Sequence, residues 1–243
     1  MQAAALCGRG AGVSAAIVTG AAGGLGGRIG ERLAAAGHEL VLVDLDPRVE
    51  EVAAAQGARG VVADLTRAEG VAAAVEAAGG EVGVLVNNAG ITRDARATKM
   101  TEAEFAAVIE INLTAAIRLT LALEERFARG ASVVNLSSRA SLGNFGQANY
   151  SASKAGLVGF GRALAQRWAP RVRVNAVAPS LVDTPMTQAM PPEVLAKLVA
   201  KIPAGRIGTP DDVAGVVAFL ASDDAAYVTG QVIYVCGGRT VAP

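Results

Sequence analysis

The sequence predicts an α/β fold, a doubly wound, mostly parallel sheet in a single domain with helices on both faces. Short apolar runs of strand length alternate along the chain with stretches whose apolar residues recur at helical spacing. A glycine-rich turn joins the first run to the first helix, and polar residues close most of the runs. The length of 243 residues suits one large domain, and no linker-like stretch or internal repeat divides it.

Seven strands are predicted, each a short run rich in Val, Ile, Leu and Ala. In chain order they cover Ala15–Val18, Glu39–Asp44, Gly60–Asp64, Val82–Asn87, Ser132–Ser138, Arg171–Ala178 and Gln231–Val235. Continuous apolar runs are typical of parallel strands buried on both faces.

Three helices are predicted around the motifs that follow. Apolar residues at helical spacing begin at Leu25, directly after the glycine-rich turn. A long helix fits residues 101–126, with Thr101 and Glu104 as a capping box at its start. A third helix carries Tyr150 and Lys154 and runs to about Trp168, before a proline.

Composition limits the class of partner. The chain has 22 basic and 22 acidic residues, so neither nucleic acid nor an anionic membrane surface is favoured. Charged residues or glycine interrupt the long apolar runs, which predicts no span of a bilayer. Residues 1–14 are expected to be a frayed leader before a domain over 15–243.

Cysteine and histidine usage argues against disulfides and zinc. Cys7 and Cys236 lie at opposite ends of the chain, so no disulfide is expected between them. Location in a reducing cytoplasm is expected instead. One histidine, His38, and two distant cysteines are too few ligands for a zinc site, and no metal is predicted.

The glycine-rich turn, Thr19–Gly26, has the order strand, turn, helix that holds phosphates. Gly20 permits the tight turn, and Gly24 lets backbone approach a pyrophosphate resting on N–H groups at the helix N-terminus. In a chain with 29 glycines such spacing can also arise by chance, but the strand and helix on either side favour a dinucleotide site.

Polar residues close five of the predicted strands, where ligands of parallel sheets bind. They are Asp44, Asp64, Asn87-Asn88, Ser137-Ser138 and Ser180. Each alone fits a capping or turn residue, whereas their joint placement at one edge of the sheet indicates a ligand site.

Tyr150 and Lys154 lie four residues apart, on one face of the predicted helix. A free phenol, with a pKa near ~10, is a poor base at neutral pH. An ammonium group within a few ångströms favours the phenolate, so the pair is a candidate acid–base group. Most such pairs are surface neighbours, and the glycine-rich turn is what favours the catalytic interpretation.

These motifs together resemble the classical short-chain dehydrogenase/reductase family, whose fold is of the Rossmann type. The resemblance extends over 15–238 and rests on the motifs TGxxxGxG at Thr19–Gly26, NNAG at Asn87–Gly90, YxxxK at Tyr150–Lys154, a serine after the fifth strand, Asn112, and a turn at Pro179-Ser180. Within the family the stretches Asn87–Asp94 and Gly146–Gly156 are most similar to 3-oxoacyl-[acyl-carrier-protein] reductases and acetoacetyl-CoA reductases.

The resemblance implies the catalytic roles. Tyr150 would be the general acid–base, Lys154 would hold the ribose and lower the tyrosine pKa, and Asn112 would anchor a water that relays protons. A serine would hydrogen-bond the carbonyl oxygen. Counting back from the tyrosine gives Ser137, whereas the strand pattern gives Ser138. Ser138 is favoured, because loops absorb a deletion more easily than strands change phase.

The resemblance also implies the cofactor residues. They are Gly20, Ala22, Gly24, Leu25, Gly26, Asp44, Asp64, Leu65, Asn88, Ala89, Gly90, Tyr150, Lys154, Pro179, Val182 and Thr184. Asp44 can accept hydrogen bonds from adenosine ribose hydroxyls and would repel a 2′-phosphate. No basic residue follows it before Arg48, so NAD(H) is favoured over NADP(H).

The expected activity is reduction of a 3-oxoacyl thioester on acyl carrier protein or CoA. An NAD-dependent dehydrogenase of another secondary alcohol (a sugar, polyol or polyketide) and a non-catalytic NAD-sensing protein remain open. Residues 181–208 would form a substrate lid. Four arginines, Arg126, Arg129, Arg167 and Arg171, are either a patch for an acidic carrier or solvated helix ends. A homotetramer is expected from the resemblance, and Ser180 and Cys236 depart from the family pattern.

Overall fold

A computed structural model describes residues 14–188 and 190–241. Apart from Ser14, the predicted leader lies outside the described residues, as does Cys7. Cys236 is a free thiol.

The predicted seven strands are present and form one parallel sheet. The strands are β1 Ala15–Thr19, β2 Glu39–Asp44, β3 Arg59–Val62, β4 Val82–Asn87, β5 Phe127–Leu136, β6 Val172–Pro179 and β7 Val232–Val235. Their order in the sheet is β3-β2-β1-β4-β5-β6-β7. Strands β2 and β3 are therefore added on one side of β1, and β4 to β7 are added on the other side. The crevice beyond β1 and β4 is the topological switch point, where such sheets bind ligands.

Helices cover both faces of the sheet, as predicted. They are α1 Gly24–Ala35, α2 Val49–Ala55, α3 Ala68–Ala77, α4 Glu102–Ile109, α5 Ala115–Ala122, α6 Ala148–Trp168, α7 Pro185–Gln188, α8 Pro192–Val199 and α9 Pro210–Ala221. Residues of α1, α2 and α9 join one buried apolar cluster with the sheet, and residues of α3, α5 and α6 join another. The two clusters are the cores of a doubly wound α/β domain.

Two boundaries differ from the predictions in ways that affect the site. The helix predicted over 101–126 begins with the expected capping box but is interrupted by a π-helical turn, Glu110–Thr114, between α4 and α5. Strand β5 begins earlier than predicted and ends at Leu136, so Ser137 and Ser138 lie just beyond it. The π-helical turn and the end of β5 both lie at the carboxyl edge of the sheet.

The interrupted helix is also the one described segment long and apolar enough to cross a membrane by length and composition, over Glu102–Ala122. It carries charged residues, among them Glu110 and Arg118. Its α4 part packs against α6 and its α5 part against α3, so it serves as a covering layer of the sheet.

Candidate active site

Tyr150 lies in the first turn of α6, directly beyond the ends of the central strands. The buried side chain of Asn149 fixes this turn. Its Oδ1 accepts a hydrogen bond from the Tyr150 backbone N–H at 2.7 Å, and its Nδ2 donates to Arg93 O at 2.9 Å. The helix start is thereby tied to the loop after β4. Sequence reasoning missed Asn149, whose only signal was its position next to the tyrosine.

Lys154 lies one turn later and is buried, with 3% of its surface exposed. Its Nζ donates a hydrogen bond to Leu136 O at 2.7 Å and lies 5.6 Å from the centroid of the Tyr150 ring. Burial lowers the Lys154 pKa to about 8, because the charged form loses its hydration. The amine is therefore still mostly protonated at neutral pH, but by a smaller margin than an exposed lysine.

The pKa of Tyr150 moves opposite to the expectation. Burial raises it, because a phenolate would lose its water, and the negative charge of Asp94 raises it further. A hydrogen bond with the Ser138 side chain acts in the other direction. Among the groups of the chain, Ser138 and not Lys154 opposes the rise.

The two candidate serines face different surroundings, as expected for neighbours after a strand. Ser137 is buried and its hydroxyl donates to Lys154 O at 2.9 Å, so it holds α6 against the sheet. Ser138 lies beside the Tyr150 hydroxyl, and its Oγ accepts a hydrogen bond from Ala140 N at 3.1 Å. That acceptor role leaves the Ser138 hydroxyl hydrogen available to another group.

Asn112 lies in the π-helical turn and is fully buried. Its amide forms two hydrogen bonds with one residue, accepting from Ile91 N at 2.7 Å and donating to Ile91 O at 3.0 Å. It also donates to Ser153 Oγ at 3.2 Å. A Cβ built on Gly90 would lie 3.1 Å from Asn112 Oδ1 and 3.4 Å from Lys154 Nζ, so both side chains face the same backbone.

A cavity of about 760 Å³ opens at the switch point. Seven predicted cofactor residues line it: Gly20, Asp44, Asp64, Leu65, Asn88, Ala89 and Gly90. The lining also includes residues that were not predicted as cofactor residues, among them Ile111 and Ala115, which are ordinary apolar residues without a motif. Ala22, Gly24, Leu25, Gly26, Tyr150, Lys154, Pro179, Val182 and Thr184 are not among its lining residues.

The glycine-rich turn is braced by the residues after β4. Asn88 Nδ2 donates to Thr19 O and to Gly20 O, both at 2.9 Å. Thr19 Oγ1 accepts from the backbone N–H groups of Asn88 and Ala89, both at 3.0 Å. Asn88 therefore supports the turn, which is a different task from the predicted contact with adenosine.

Two glycines of the turn leave no room for a side chain. Gly20 has φ +66°, and a Cβ there would lie 2.7 Å from Ala89 Cα. A Cβ on Gly26 would lie 2.1 Å from Gly20 O. By contrast, a Cβ on Gly24, the first residue of α1, meets nothing within 4 Å although its φ is +56°. The backbone at the start of α1 is thus open to a ligand.

The carboxylates that follow β2 and β3 are both engaged locally. Asp44 accepts from Ala22 N at 2.9 Å through one oxygen and from Asp46 N at 3.0 Å through the other. Asp64 accepts from the Thr66 hydroxyl and backbone N–H, which lower its pKa. Each carboxylate oxygen accepts more than one hydrogen bond, so these contacts leave Asp44 able to bind hydroxyls at the cavity.

The segment after β6 brings Val182 and Thr184 together through Thr187. Thr187 Oγ1 donates to Val182 O at 2.7 Å and accepts from Thr184 N at 2.9 Å. Val182 also forms a parallel bridge with Gly208, which closes the predicted lid segment at its base. Thr187 was missed by sequence reasoning because a threonine three residues after another has no distinctive pattern.

Over residues 20–240 the chain matches the family model described as Enoyl-(Acyl carrier protein) reductase. It also superimposes on a crystal structure of a short-chain dehydrogenase/reductase, glucose/ribitol dehydrogenase, from Brucella melitensis. The TM-score is 0.88 at 35% identity, covering 93% of this chain and 96% of that one. The chain belongs to the short-chain dehydrogenase/reductase family.

Curated relatives of this short-chain dehydrogenase/reductase carry two kinds of name. The 3-oxoacyl-[acyl-carrier-protein] reductase FabG of Thermotoga maritima is 47% identical over 162 residues, which are 65% of this chain and 66% of that protein. FabG of Escherichia coli is 45% identical over 159 residues, covering 64% and 65%. Nodulation protein G of Rhizobium meliloti is 45% identical over 162 residues, covering 65% and 66%. The family is one of nicotinamide-dependent oxidoreductases, and the chain spans just under two thirds of the length of these relatives.

Proposed function

We propose that the protein reduces a 3-oxoacyl thioester, carried on acyl carrier protein or CoA, with NADH as the hydride donor. The observation that carries the proposal is the convergence of Ser138, Tyr150 and Lys154, with Lys154 Nζ facing Gly90 in the wall of the cavity. The FabG relatives, named as 3-oxoacyl-[acyl-carrier-protein] reductases, support the choice of substrate.

The residues present fit a nicotinamide dinucleotide. Gly20 and Gly26 allow the turn to pack without side chains, and the open backbone at Gly24 can receive a pyrophosphate. The adenosine half would lie in the cavity between Asp44 and Asp64-Leu65. Lys154 would hold ribose hydroxyls, and Pro179, Val182 and Thr184 would hold the nicotinamide end. Ala22, Leu25, Ala89 and Gly90 complete the proposed contacts.

In this mechanism the chain supplies the proton and orients the carbonyl. Tyr150 donates its hydroxyl proton to the carbonyl oxygen, and a hydrogen bond from Ser138 stabilises the charge that develops there. Lys154 and Asn112 return a proton to the tyrosine through solvent. When bound, the nicotinamide supplies the hydride that adds to the carbonyl carbon.

The preference for NAD(H) rests on Asp44. Its carboxylate faces the cavity, where it can accept hydrogen bonds from ribose hydroxyls and would repel a 2′-phosphate. Arg48, the first basic residue after β2, binds the carboxylate of Asp46 through its Nε and Nη2 atoms, at 2.9 and 2.6 Å. This pairing draws the guanidinium away from a phosphate.

A second candidate is an NAD-dependent dehydrogenase that oxidises a sugar, polyol or polyketide alcohol. The glucose/ribitol dehydrogenase name of the Brucella melitensis structure, together with Asp44, favours it. The same residues would then act in reverse, with Tyr150 accepting the alcohol proton.

We also propose a cytoplasmic homotetramer. The stretch Glu102–Ala122 is apolar, yet only 28% of its most apolar window is buried within the chain. Phe105 and Leu121 on this stretch are exposed. Contact with a second copy would remove this surface from water. Light scattering measures the assembly, and a monomer at micromolar concentration would contradict the proposal.

The deciding experiment is turnover. Purified protein is assayed for NADH oxidation with acetoacetyl-CoA, and for NAD⁺ reduction with a panel of sugars and polyols. We expect turnover with the thioester. In Tyr150→Phe we expect kcat to fall by a factor at least ten times larger than the factor by which the affinity for NADH falls. Tyr227→Phe, at a fully exposed tyrosine, is the matched control. Turnover of polyols alone would favour the second candidate, and tight NADH binding without any turnover would favour a non-catalytic protein.

A further inference from the structure

A pair of arginines, Arg139 and Arg239, lies at the carboxyl edge of the sheet. Arg139 directly follows Ser138 and begins a short 3-10 turn, Arg139–Leu142. Arg239 follows β7, and its Nη1 donates to Ser180 Oγ, just after β6, at 3.4 Å. Because β5, β6 and β7 are adjacent parallel strands, their ends bring the two guanidinium groups to one edge.

The positive charge of Arg139 acts on Arg239. Partial burial lowers the pKa of Arg239, the positive charge of Arg139 lowers it further, and the nearby Cys236 thiol acts in the opposite direction. Both side chains are half-buried, so the repulsion is less screened than between two fully exposed arginines.

Neither arginine has an acidic partner within residues 14–188 and 190–241. Their neighbour Arg206 shows the contrast, since it binds both carboxylate oxygens of Asp212, at 2.6 and 2.9 Å. Asp183, three residues after Ser180, accepts instead from Gln188 at 3.0 Å. Two neighbouring guanidinium groups without a carboxylate are electrostatically unfavourable unless an anion binds between them.

The cofactor's pyrophosphate does not explain this pair. The glycine-rich turn follows β1, and β4 and β5 separate β1 from β6 in the sheet. Three strand spacings amount to about 14 Å. The arginines therefore lie away from the glycine-rich turn, and Arg139 directly follows Ser138, which would hold the carbonyl oxygen.

We propose that Arg139 and Arg239 bind an oxyanion carried by the substrate, a carboxylate or a phosphate, and thereby select anionic carbonyl substrates over neutral ones. Guanidinium groups suit this role because they present several N–H donors in a plane that matches carboxylate and phosphate oxygens. This inference rests on the proposed function, since it identifies the substrate class of the same site. The oxyanion has two possible sources, the acyl chain itself or the phosphopantetheine arm of a thioester.

The test compares three thioesters that share a 3-oxo group. Acetoacetyl-N-acetylcysteamine is neutral, the C1 N-acetylcysteamine monothioester of 3-oxoadipate carries a carboxylate on the acyl chain, and acetoacetyl-4′-phosphopantetheine carries a phosphate on the thiol arm. The wild type is compared with Arg139→Gln, Arg239→Gln and the double variant. Arg59→Gln, at an exposed arginine at the opposite edge of the sheet, is the control.

We expect kcat/KM for one anionic thioester to exceed that for the neutral thioester by about tenfold or more, as for a charge-assisted hydrogen bond. The ratio should fall about tenfold in each single variant and remain in Arg59→Gln. The anionic thioester with the higher kcat/KM identifies the source of the oxyanion, either the acyl chain or the phosphopantetheine group. Equal kcat/KM for all three substrates, or a ratio that survives both substitutions, would overturn the inference while leaving thioester reduction intact.

A binding readout keeps the inference testable if no thioester is reduced. The thermal midpoint of the protein with NAD⁺ is measured with 3-hydroxyglutarate, with its dimethyl ester, and with 4′-phosphopantetheine. We expect one anion to raise the midpoint in the wild type and not in the double variant, while the neutral ester has no effect. No shift with either anion, together with no turnover, would refute both proposals, whereas a shift without turnover would refute thioester reduction alone.

Discussion

Lys154 donates a hydrogen bond to the carbonyl oxygen of Leu136 at 2.7 Å while only 3% of its surface is exposed. This contact joins the helix that carries the candidate acid–base pair to the end of β5. The backbone oxygen satisfies the amine but does not neutralise its charge. The buried amine is thus held in place at the cost of a lowered pKa, of about 8.

The pH dependence of stability should report this burial. The folded pKa of Lys154 is about 8 and its ordinary value is 10.5. Between these values the unfolded chain binds more protons, so the contribution of Lys154 to the free energy of unfolding rises with pH. Relative to Lys154→Met, the wild type should gain up to ~1.4 kcal/mol per pH unit above about pH 8.

Urea unfolding of both proteins at about pH 7, 8.5 and 9.5 measures the difference. The lost hydrogen bond to Leu136 adds an offset that is independent of pH, so the slope is the quantity to compare. Lys99→Met, at an exposed lysine, should show no such slope. A difference that stays flat for Lys154→Met would contradict a lowered pKa.

Substitution of the two serines should separate catalysis from packing. Ser138→Ala removes the hydrogen bond to the Tyr150 hydroxyl, and we expect kcat to fall by roughly 10²-fold. Ser137→Ala removes the hydrogen bond to Lys154 O and should lower the free energy of unfolding by about 1 kcal/mol. Steady-state kinetics and urea unfolding of both variants test this. A larger loss of kcat in Ser137→Ala would reverse the assignment.

Much of the fold could be predicted because parallel strands leave a strong signal. β2 and β4 were predicted with their observed bounds, since each is an apolar run closed by a polar residue. The interruption of the long helix could not be predicted. It accompanies the pairing of Asn112 with Ile91, a contact across 21 residues that local spacing does not encode.

The residues of the candidate site could be predicted from the sequence, but the direction of the Tyr150 pKa shift could not. The motifs brought Tyr150, Lys154 and Ser138 together, yet the sequence suggested an acidified tyrosine. Burial determines the direction of the Tyr150 pKa instead, and burial depends on how α6 packs on the strand ends. The placement of Arg139 and Arg239 at one edge of the sheet could not be predicted either, because they lie a hundred residues apart in the chain.

Asp44 should govern the choice of nicotinamide. Asp44→Ala removes the carboxylate at the cavity, and we expect NADH to bind at least tenfold more weakly while NADPH binding changes less. Asp224→Ala, at an exposed aspartate that does not line the cavity, is the matched control. Fluorescence titration of the wild type and both variants with both nucleotides measures the six affinities. Equal losses for NADH and NADPH in Asp44→Ala would argue against a ribose contact.

Two adjacent glycines in the first turn of α1 should respond in opposite ways to a single methyl group. A Cβ on Gly26 would lie 2.1 Å from Gly20 O, so Gly26→Ala must displace the glycine-rich turn. A Cβ on Gly27 would meet Ala21 O at 3.6 Å and Val52 Cγ1 at 3.7 Å, which are ordinary contacts.

Gly27→Ala should therefore raise the free energy of unfolding by up to about 1 kcal/mol, the gain of alanine over glycine inside a helix. Gly26→Ala should lower it by roughly 1–3 kcal/mol, as overpacking does, and should weaken NADH binding, because the backbone that would receive the pyrophosphate has moved. Urea unfolding and NADH titration of both variants provide the comparison. If Gly26→Ala bound NADH as tightly as Gly27→Ala, the turn would not be the phosphate-binding element.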